Sequence, residues 1–441
     1  MKINIIVKGK INDSFQLSES NSDNTLIVPS IKIHEFEGSA VTNNTSEIIK
    51  KYDIVLSEDI IDLLNLGLAV YTIDQTVSRE SFGYYHWNRY FSIFLPVVDV
   101  EKWENVRKEL EETLSFLSGD KWIINLRSRE TYNTSVEDRK GHNIDKVCLF
   151  SGGLDSFIGA VDLLADSNVA LIAHHKKGGK EKEAQQKLIG KLREKYSDKK
   201  IQDFLFYVQP RKKEKQAFGG GEDSQRARSF LYIVLGIAVA NSLGDEIPLF
   251  IPENGLISLN ISLTKIRQGT YSTKTTHPYF LNRLSKILAT LSIHNPIINP
   301  YQFSTKGEMT VISKNKDIVR QLFTHTISCS KPNHYRRWHK KDEIQCGHCV
   351  PCIIRRAALK KAGLDKKEDY IIDIHTFEKS HNRSTGSDLR AFKVAIHKYL
   401  TLGKLSPFDL LKNGALPPES ISDYIGVLKR GLEEVNDFIT K

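Results

Sequence analysis

The chain has 441 residues, of which 40% are hydrophobic and 26% charged, and its formal net charge at pH 7 is +10. This length allows two or three domains, and the composition is typical of a soluble globular protein. No apolar run approaches the length of a bilayer crossing, which excludes a membrane-spanning protein. The positive charge favours anionic ligands such as nucleotides and permits nucleic acid. The first eight residues are too short before their second lysine for a signal peptide, so we expect a cytoplasmic protein.

Residues 1–140 are expected to form an N-terminal α+β domain, and nothing in them indicates a chemistry. The predicted elements, in chain order, are strand Lys2–Val7, strand Thr25–Ile33, helix Ser57–Thr72, strand Tyr90–Val97, helix Val100–Leu117 and strand Trp122–Leu126. An aromatic cluster, Tyr84, Tyr85 and Trp87, fits a partner surface or, as such clusters more often do, a core.

A polar segment at 135–143 is predicted to link this region to a second domain, residues 141–365. That domain opens with the apolar run Val147–Phe150, the string Ser151-Gly-Gly-Leu-Asp-Ser156 and apolar residues at helical spacing. The pattern predicts a buried strand, a tight glycine loop and a helix. Such a loop directs backbone N–H groups and a helix dipole at one point, where phosphates bind; an ordinary turn is the alternative. The nucleotide-binding candidates are Ser151, Gly152, Gly153, Asp155 and Ser156.

The rest of this domain is predicted to be α/β, with a doubly wound parallel sheet. The predicted elements are strand Val169–Ala173, helix Glu183–Tyr196, strand Phe204–Val208, helix Ser224–Leu243, strand Pro248–Pro252, helix Phe280–Leu291, strand Ile297–Ile298 and helix Gly307–Gln321. The carboxyl ends of strands line the ligand crevice of such a sheet. We therefore expect His174 near the nucleoside, unless its role is structural, and Glu253 and Asn254 at a polar heterocycle of the substrate.

Four basic side chains are further candidates. Arg226 and Arg228 fall in the first turn of the predicted helix 224–243, where a cation is unfavourable without a compensating anion. We assign them to phosphate or a substrate carboxylate, with surface exposure as the alternative. Lys274 could neutralise pyrophosphate and His277 could transfer a proton, with a solvated loop as the alternative. The candidate catalytic residues are Asp155, Arg228, Lys274 and His277, and Arg226 is a candidate nucleotide ligand.

Four of the five cysteines are spaced like metal ligands. Cys329 is followed by the string Cys346-Gly-His-Cys349-Val-Pro-Cys352, and four thiolates at this spacing can complete a tetrahedral shell around zinc. No coordination position stays open, so a structural site is expected. His339 or His348 as a substitute ligand and an iron–sulfur cluster are the alternatives. The fifth cysteine, Cys148, is expected only to pack in the core.

Residues 366–441 are predicted to be a C-terminal helical extension. Helices are expected at Ser387–Leu400 and Asp423–Phe438, and prolines at 407, 417 and 418 separate them. The extension is expected to pack on the main domain.

Two of these motifs resemble a known family. The Ser-Gly-Gly-x-Asp-Ser string resembles the PP-loop of the N-type ATP pyrophosphatases, and the Gly-Lys-Ser/Thr of a Walker-type kinase is missing. With the four cysteines, residues 145–365 resemble the QueC family, 7-cyano-7-deazaguanine synthase. The resemblance implies a HUP-like PP-loop fold, ATP and Mg²⁺ at the loop, zinc at the cysteines, and chemistry on a 7-deazaguanine carboxylate through an adenylate.

The segments before and after this region depart from the biosynthetic enzymes. The architecture of the whole chain is more similar to the QueC-like proteins of bacterial anti-phage defence, in particular the QatC component of the Qat system. That similarity implies an ATP-dependent carbon–nitrogen ligase in which an amine of a QatB-like partner protein replaces ammonia. Residues 1–140 and 366–441 carry no recognisable ligand motif, and because of their size we expect them to form a docking surface for that partner. Three alternatives stay open: free-standing nitrile synthesis from ammonia, modification of tRNA, and a non-catalytic nucleotide sensor. The basic runs favour tRNA, but no reactive cysteine is expected beside the loop.

Overall fold

The structure is a computed structural model that describes residues 2–17, 24–32, 38–132, 143–175, 180–222, 226–261, 263, 274–330, 345–375 and 386–440. Most of the predicted linker at 135–143 therefore lies outside the described residues, as does Ser224, the predicted N-cap of the helix at 224–243. In the part of the chain that is described, no helix is both long and apolar enough to cross a membrane.

The strands form two sheets. They are β1 (Lys2–Lys8), β2 (Thr25–Pro29), β3 (Val41–Asn43), β4 (Tyr90–Val97), β5 (Lys121–Ser128), β6 (Lys146–Leu149), β7 (Val169–His175), β8 (Ile201–Pro210), β9 (Leu249–Phe250) and β10 (Ile297–Ile298). The first sheet has the order β2-β1-β4-β5 and the second has the order β10-β9-β6-β7-β8-β3.

Helices connect these strands and form the C-terminal part of the chain. Those before residue 250 are α1 (Thr45–Lys51), α2 (Glu58–Thr76), α3 (Arg79–Phe82), α4 (Val100–Ser118), α5 (Leu154–Leu164), α6 (Lys180–Lys195), α7 (Lys212–Ala217) and α8 (Arg228–Leu243). Those after it are α9 (Gly255–Ser258), α10 (Pro278–Thr290), α11 (Lys306–Ile312), α12 (Lys316–Leu322), α13 (Val350–Lys361), α14 (Ser387–Ile396), α15 (Pro407–Leu411) and α16 (Ile421–Ile439).

The first sheet corrects the prediction of an α+β organisation. Its three pairings, β1 with β2, β1 with β4 and β4 with β5, are all parallel. Helix α2 precedes β4, and α4 connects β4 to β5, so strands and helices alternate as in an α/β fold. The apolar pattern of a strand reports which faces are buried and carries no information on strand direction, which is why the elements were predicted and their arrangement was not.

The two sheets share one hydrophobic core. Residues of β1 and β4 belong to the same cluster of buried side chains as residues of β7, β8 and α8. Helices α2 and α8 pack closely, because a Cβ at Gly67 would lie 3.5 Å from Val234 and 3.6 Å from Leu231. Both helices are buried around nearly their whole circumference, which is typical of central helices. The N-terminal region is thus continuous with the core of the following one.

The second sheet positions the candidate site. Its pairings are parallel, except that the edge strand β3 runs antiparallel to β8. Strand β6 pairs with β7 on one side and β9 on the other, and the chain crosses from β8 to β9 between the two halves. This crossing makes the boundary between β6 and β9 the topological switch point, where the loops after the two strands diverge and leave a crevice.

The C-terminal part is helical, as predicted, and has its own hydrophobic cluster with residues of α9, α13, α14 and α16. Two predicted helices differ in their ends. The helix expected at 307–321 is two helices, because the Ser313 hydroxyl and the Lys314 amide donate to the Asp162 carboxylate between them. The helix expected at 387–400 leaves the α conformation at Ile396 and continues as a π-helical turn, His397–Thr401.

Candidate functional site

The strand, loop and helix predicted around residues 147–160 are confirmed. Strand β6 ends at Leu149, Gly153 is the N-cap, and α5 begins at Leu154. Gly152 has φ +82°, and a Cβ there would lie 3.2 Å from Cγ of Gln185. The backbone conformation therefore favours glycine at this position, and the Gln185 side chain of α6 leaves little room for a Cβ.

Two serine hydroxyls converge on this loop. The Oγ atoms of Ser151 and Ser156 are 3.1 Å apart, and Ser151 Oγ also accepts from the Gly153 amide at 3.3 Å. Ser151 is exposed, whereas Ser156 is buried and donates to the Gly153 carbonyl. The N-cap glycine offers no side chain to the first turn of α5, so no N-cap side chain competes with an external anion for the amides there.

A buried cluster of opposite charges lies directly behind the loop. Asp155, in the first turn of α5, is only 6% exposed. Its Oδ1 lies 2.9 Å from Nζ of Lys306, and its Oδ2 accepts from the side-chain amide of Asn254 at 2.7 Å. The same Asn254 Nδ2 lies 3.4 Å from Oε1 of Glu253. The structure therefore brings together three predicted residues and one that was not predicted.

The two carboxyl groups of this cluster have opposite pKa shifts. Burial raises the pKa of Glu253 well above its ordinary value, and the nearby negative charge of Asp155 raises it further. Burial also acts on Asp155, but the positive charge of Lys306 and hydrogen bonds from Glu253 and Asn254 keep its pKa below the ordinary value. Asp155 is therefore the ionised member of the pair, and Glu253 holds a proton that it donates to Asp155.

Lys306 is the functional candidate that sequence reasoning missed. It is 6% exposed and is the first residue of α11, after the N-cap Thr305. Thr305 and Glu308 form a capping box, whose Thr-x-x-Glu signature is visible in the sequence. A lysine at the positive end of a helix needs a compensating anion, and that signal could have identified it.

The loop after β9 is held against α5 by close packing. A Cβ at Gly159 would collide with the ring of Pro252, so only glycine lets α5 approach this strand end. Asn299, which follows β10, accepts from the Glu253 amide at 3.4 Å and donates to the Ser258 hydroxyl at 3.2 Å. Three successive strand ends thus contribute to one crevice.

His174 and Arg228 lie together at the end of β7. The guanidinium of Arg228 donates to Nδ1 of His174 at 3.1 Å and to its carbonyl oxygen at 3.0 Å. His174 is buried and its ring packs edge-on against Tyr71 of α2. These contacts fit the structural role that was left open for His174, and they hold Arg228 at the carboxyl edge of the second sheet.

Arg226 has a different position from the one predicted. Helix α8 begins at Arg228, so Arg226 precedes the helix instead of lying in its first turn. Its Nη1 donates to the carbonyl of Ser118, at the carboxyl end of α4, at 2.6 Å. A cation is favourable at that end of a helix. We predicted that a bound anion compensates the charge of Arg226. The negative end of α4 provides part of that compensation within the protein.

Lys274 and His277 lie beside α4 and α10. The Lys274 ammonium is 3.8 Å from the ring centroid of Phe116, and the rings of Phe116 and His277 are 5.4 Å apart. His277 caps α10 by accepting from the Tyr279 amide. Burial lowers the pKa of Lys274 to about 8 and that of His277 to about 3. His277 is therefore neutral near pH 7, which does not suit it as a proton donor from an imidazolium.

The four predicted cysteines form one buried group. The Sγ atoms of Cys329, Cys346, Cys349 and Cys352 all lie within 4.8 Å of one another. The sulfurs of Cys346 and Cys352 are 3.7 Å apart, and the Cys349 amide donates to Cys346 Sγ at 3.4 Å. Four thiols at these separations fit the ligand shell of a metal ion such as zinc. His348 is not part of the group, and His339 lies outside the described residues.

The cysteine group is connected to the glycine loop through residues 326–329. Ile327, two positions before Cys329, donates its amide to the Gly152 carbonyl at 2.9 Å. The guanidinium of the buried Arg355, on α13, donates to the Thr326 hydroxyl and the Phe323 carbonyl. A metal bound by the cysteines would therefore stabilise the segment on which the loop rests.

The chain was compared with family models, curated proteins and solved structures, and none of them matches it.

Proposed function

We propose that this chain is a QueC-like, ATP-dependent carbon–nitrogen ligase of bacterial anti-phage defence, which adenylates a 7-deazaguanine carboxylate and transfers the acyl group to an amine. The observation that carries the proposal is the meeting of the glycine loop with the Asp155–Glu253 pair at the switch point of a parallel sheet. Nucleotides bind at such switch points, and phosphates bind at loops of this kind. The QueC resemblance of residues 151–156 and of the cysteines supplies the substrate class.

In this proposal the loop binds the phosphates of ATP. The hydroxyls of Ser151 and Ser156 and the first amides of α5 would donate to phosphate oxygens. The carboxyl groups of Asp155 and Glu253 are oxygen donors of the type that Mg²⁺ prefers, so the pair fits a Mg²⁺ site. The side-chain oxygen of Asn254 caps α9, and its NH2 group faces the two carboxyl groups and orients them. Mg²⁺ would supply charge neutralisation at the phosphates, and Glu253 would give up its proton when it binds the ion.

The reaction has two substitutions. A carboxylate oxygen of the deazaguanine attacks the α-phosphorus of ATP, and the bond to the bridging oxygen breaks, which releases pyrophosphate. The nitrogen of the acceptor amine then attacks the acyl carbon, AMP leaves with the former carboxylate oxygen, and the nitrogen loses a proton. Cationic groups that meet the negative charge on the departing pyrophosphate would be the main contribution of the protein. Arg228 and Lys306 are the candidates at the crevice.

The acceptor in this proposal is an amine of a QatB-like partner protein. Residues 82–90 offer a contact surface, because Tyr84 is 70% exposed, Tyr85 82% and Trp87 48%. Exposure excludes the core alternative for this cluster, and exposed aromatic side chains are frequent anchors at protein interfaces. The proposed docking function of residues 1–140 is best tested by Tyr85→Ser in the full chain, because deleting these residues would open the shared core. Loss of partner binding supports the proposal; unchanged binding and modification contradicts it.

Pyrophosphate release is the test of the enzymatic proposal. Full-length protein is given ATP and 7-carboxy-7-deazaguanine, and the Ser151→Ala and Ser156→Ala variants are compared with Ser197→Ala, an exposed serine far from the loop in sequence. We expect pyrophosphate release to fall in the first two variants and to persist in the third. Full activity in both loop variants would reject the phosphate-loop assignment. Mass spectrometry of a co-expressed partner then separates acylation of a protein from amidation by ammonia.

A further inference from the structure

The region around His277 contains a buried hydrogen-bond donor that no described residue pairs with. His277 is 0% exposed, and its Nδ1 accepts from the Tyr279 amide at 3.2 Å. A neutral imidazole that accepts at Nδ1 carries its proton on Nε2. Among the described residues, Nε2 has no hydrogen-bond partner. A buried N–H group left unpaired costs free energy, so this donor indicates an acceptor other than the described residues.

Lys274 adds one uncompensated positive charge at the same place. Its ammonium lies over the ring of Phe116, and no carboxylate of the described residues is among the groups that shift its pKa. Its positive charge contributes to the lowered pKa of His277, so the two groups are close. Arg226 is also near: it donates to the Ser118 carbonyl, and its positive charge lowers the pKa of Lys274, while Asp74 and Asp120 pair with other arginines. The site therefore offers the Lys274 ammonium and a fixed N–H donor.

All three regions of the chain enclose this site. Phe116 comes from α4 in the N-terminal region, and its ring packs edge-on against both His277 and Tyr279. Gly414, in the C-terminal extension, covers the site from another side, because a Cβ there would lie 2.7 Å from Phe116 and 2.8 Å from His277. The Thr276 hydroxyl lies 3.0 Å from that of Ser258, which Asn299 connects to Glu253 in the candidate active site.

We infer that Lys274 and the Nε2–H group of His277 bind the oxyanion of a small ligand, and that this ligand is an apolar or aromatic carboxylate. A carboxylate carries one charge and two acceptor oxygens, which matches one ammonium and one N–H donor. Pyrophosphate carries several charges and would leave most of them uncompensated here. The aromatic surroundings favour a planar organic acid. The identity of that acid as a 7-deazaguanine carboxylate rests on the proposed function.

The N-terminal region and the C-terminal extension would then have a second function besides docking, because both contribute to this site. Without Phe116 the Lys274 ammonium loses its aromatic contact, and without the segment around Gly414 the site opens to water. A core domain alone would therefore lack part of its substrate pocket. In water the attraction between one ammonium and one carboxylate is weak, so enclosure by both segments is needed for useful affinity.

The test is calorimetric titration of the full chain with three probes: 7-carboxy-7-deazaguanine, its neutral carboxamide and inorganic pyrophosphate. Lys274→Met keeps an aliphatic side chain over Phe116 and removes the charge. We expect it to weaken binding of the carboxylate about tenfold or more, as loss of a charged hydrogen bond does, and to change binding of the carboxamide little. Lys274→Arg should retain most of the affinity. Lys286→Met, an exposed lysine of α10, is the matched control.

Each other outcome has a separate meaning. If wild type and Lys274→Met bind the carboxylate equally, the inference is wrong and the proposed substrate stands. If the wild-type chain binds no deazaguanine but binds pyrophosphate in a Lys274-dependent way, the oxyanion site stands with a phosphate as its ligand, and the proposed substrate is wrong. A wild-type chain that binds none of the three probes overturns the site itself.

Discussion

The chain contains two buried clusters of ionisable groups with opposite electrostatic character. The four cysteines present thiols of a single kind, and their sulfurs all lie within 4.8 Å of one another. The cluster of Asp155, Lys306, Glu253 and Asn254 contains opposite charges that satisfy one another. The first cluster requires a cation from outside to be stable as thiolates. The second is stable alone and has to release a proton before it can bind a cation.

The largest loss of folding stability is expected from substitutions in the cysteine cluster. Cys349→Ser should lose the metal, which we expect to be about one zinc per chain. Structural zinc contributes on the order of 10 kcal/mol of binding free energy in small zinc domains, so the variant should unfold well below the wild-type temperature. Metal analysis and calorimetric melting measure the two effects. Cys148→Ala, which removes the buried cysteine of β6, should keep its metal. A metal-free wild-type protein of undiminished stability would contradict the assignment.

A smaller loss of folding stability is expected when the ion pair between Asp155 and Lys306 is broken. Asp155→Ala leaves the Lys306 ammonium buried without its partner, which typically costs about 3–5 kcal/mol. Lys306→Met has the same consequence for Asp155, and the double variant should lose less than the sum of the two. The sequence alone suggests that Asp155→Ala leaves folding intact, because the loop follows a strand end. The buried pair predicts that this variant is destabilised as well as inactive.

The measurement is the midpoint of urea denaturation for the two single variants and the double variant. Asp166→Ala is the matched control, because Asp166 also pairs with lysines, Lys146 and Lys314, but is half exposed. Exposed pairs contribute about 0–1 kcal/mol, so this variant should unfold close to wild type. Additive losses in the double variant would show that Asp155 and Lys306 do not interact energetically.

The two clusters also differ in how far the sequence predicted them. Three of the cysteine ligands lie in one short string and the fourth precedes it, so their spacing was sufficient to predict the group. The loop residues 151–156 were found in the same way, since strand, turn and helix are local. Lys306 lies 151 positions after Asp155 in the chain, and only the fold brings it there. No local pattern encodes that contact, although the capping signature at Thr305 marks the helix that carries it.

The fold has the same division between local and long-range features. Strands β1, β4 and β10 were predicted within a residue of their observed ends, because apolar runs identify them. Strand β3 was not predicted, since three residues have too little pattern and its partner β8 lies more than 150 positions away. The contact of Arg226 with Ser118 was not predicted, because Ser118 belongs to the N-terminal region and lies far from Arg226 in the sequence. Residues that connect the regions are those that sequence reasoning could not assign.

The third prediction concerns the pH dependence of folding stability that the protonated Glu253 of the second cluster should cause. The folded-state pKa of Glu253 lies well above 4.5, so its favourable contribution is complete below pH 4.5 and is lost as the pH rises through the raised pKa. Glutamine imitates the protonated group at every pH. Glu253→Gln should therefore gain stability relative to wild type as the pH rises from below 4.5 through neutrality. Asp155, whose pKa is lowered, stays ionised throughout that range.

Urea midpoints of wild type and Glu253→Gln across this pH range give the result, because groups that are common to both proteins cancel in the difference. The exposed Glu246→Gln should give a difference that does not change with pH. A stability difference for Glu253→Gln that is flat, or that falls as the pH rises, would mean that Glu253 is ionised beside Asp155. The second cluster would then resemble the first in needing an external cation.

The smallest loss of stability is expected from substitutions at Glu434, through which the C-terminal extension contacts the segment that carries Lys306. Glu434 of α16 accepts from the Thr305 hydroxyl and from the Gly307 amide at 3.2 Å, on either side of Lys306. A Cβ at Gly307 would lie 2.6 Å from Glu434 Oε1, so the carboxylate is fitted closely to the start of α11. Glu434→Ala removes these acceptors and should cost about 1–2 kcal/mol, as loss of a charged helix cap does.

If α16 positions Lys306, Glu434→Ala should also raise the KM for ATP a few-fold while kcat changes less, because the lysine would be displaced without being lost. Glu433→Ala, an exposed neighbour on the same helix, is the control and should change neither quantity. Gly307→Ala should give the same kinetic change as Glu434→Ala, since the added methyl group forces the carboxylate away. Loss of stability in Glu434→Ala with unchanged kinetics would show that the extension supports the fold at this point and has no influence on the second cluster.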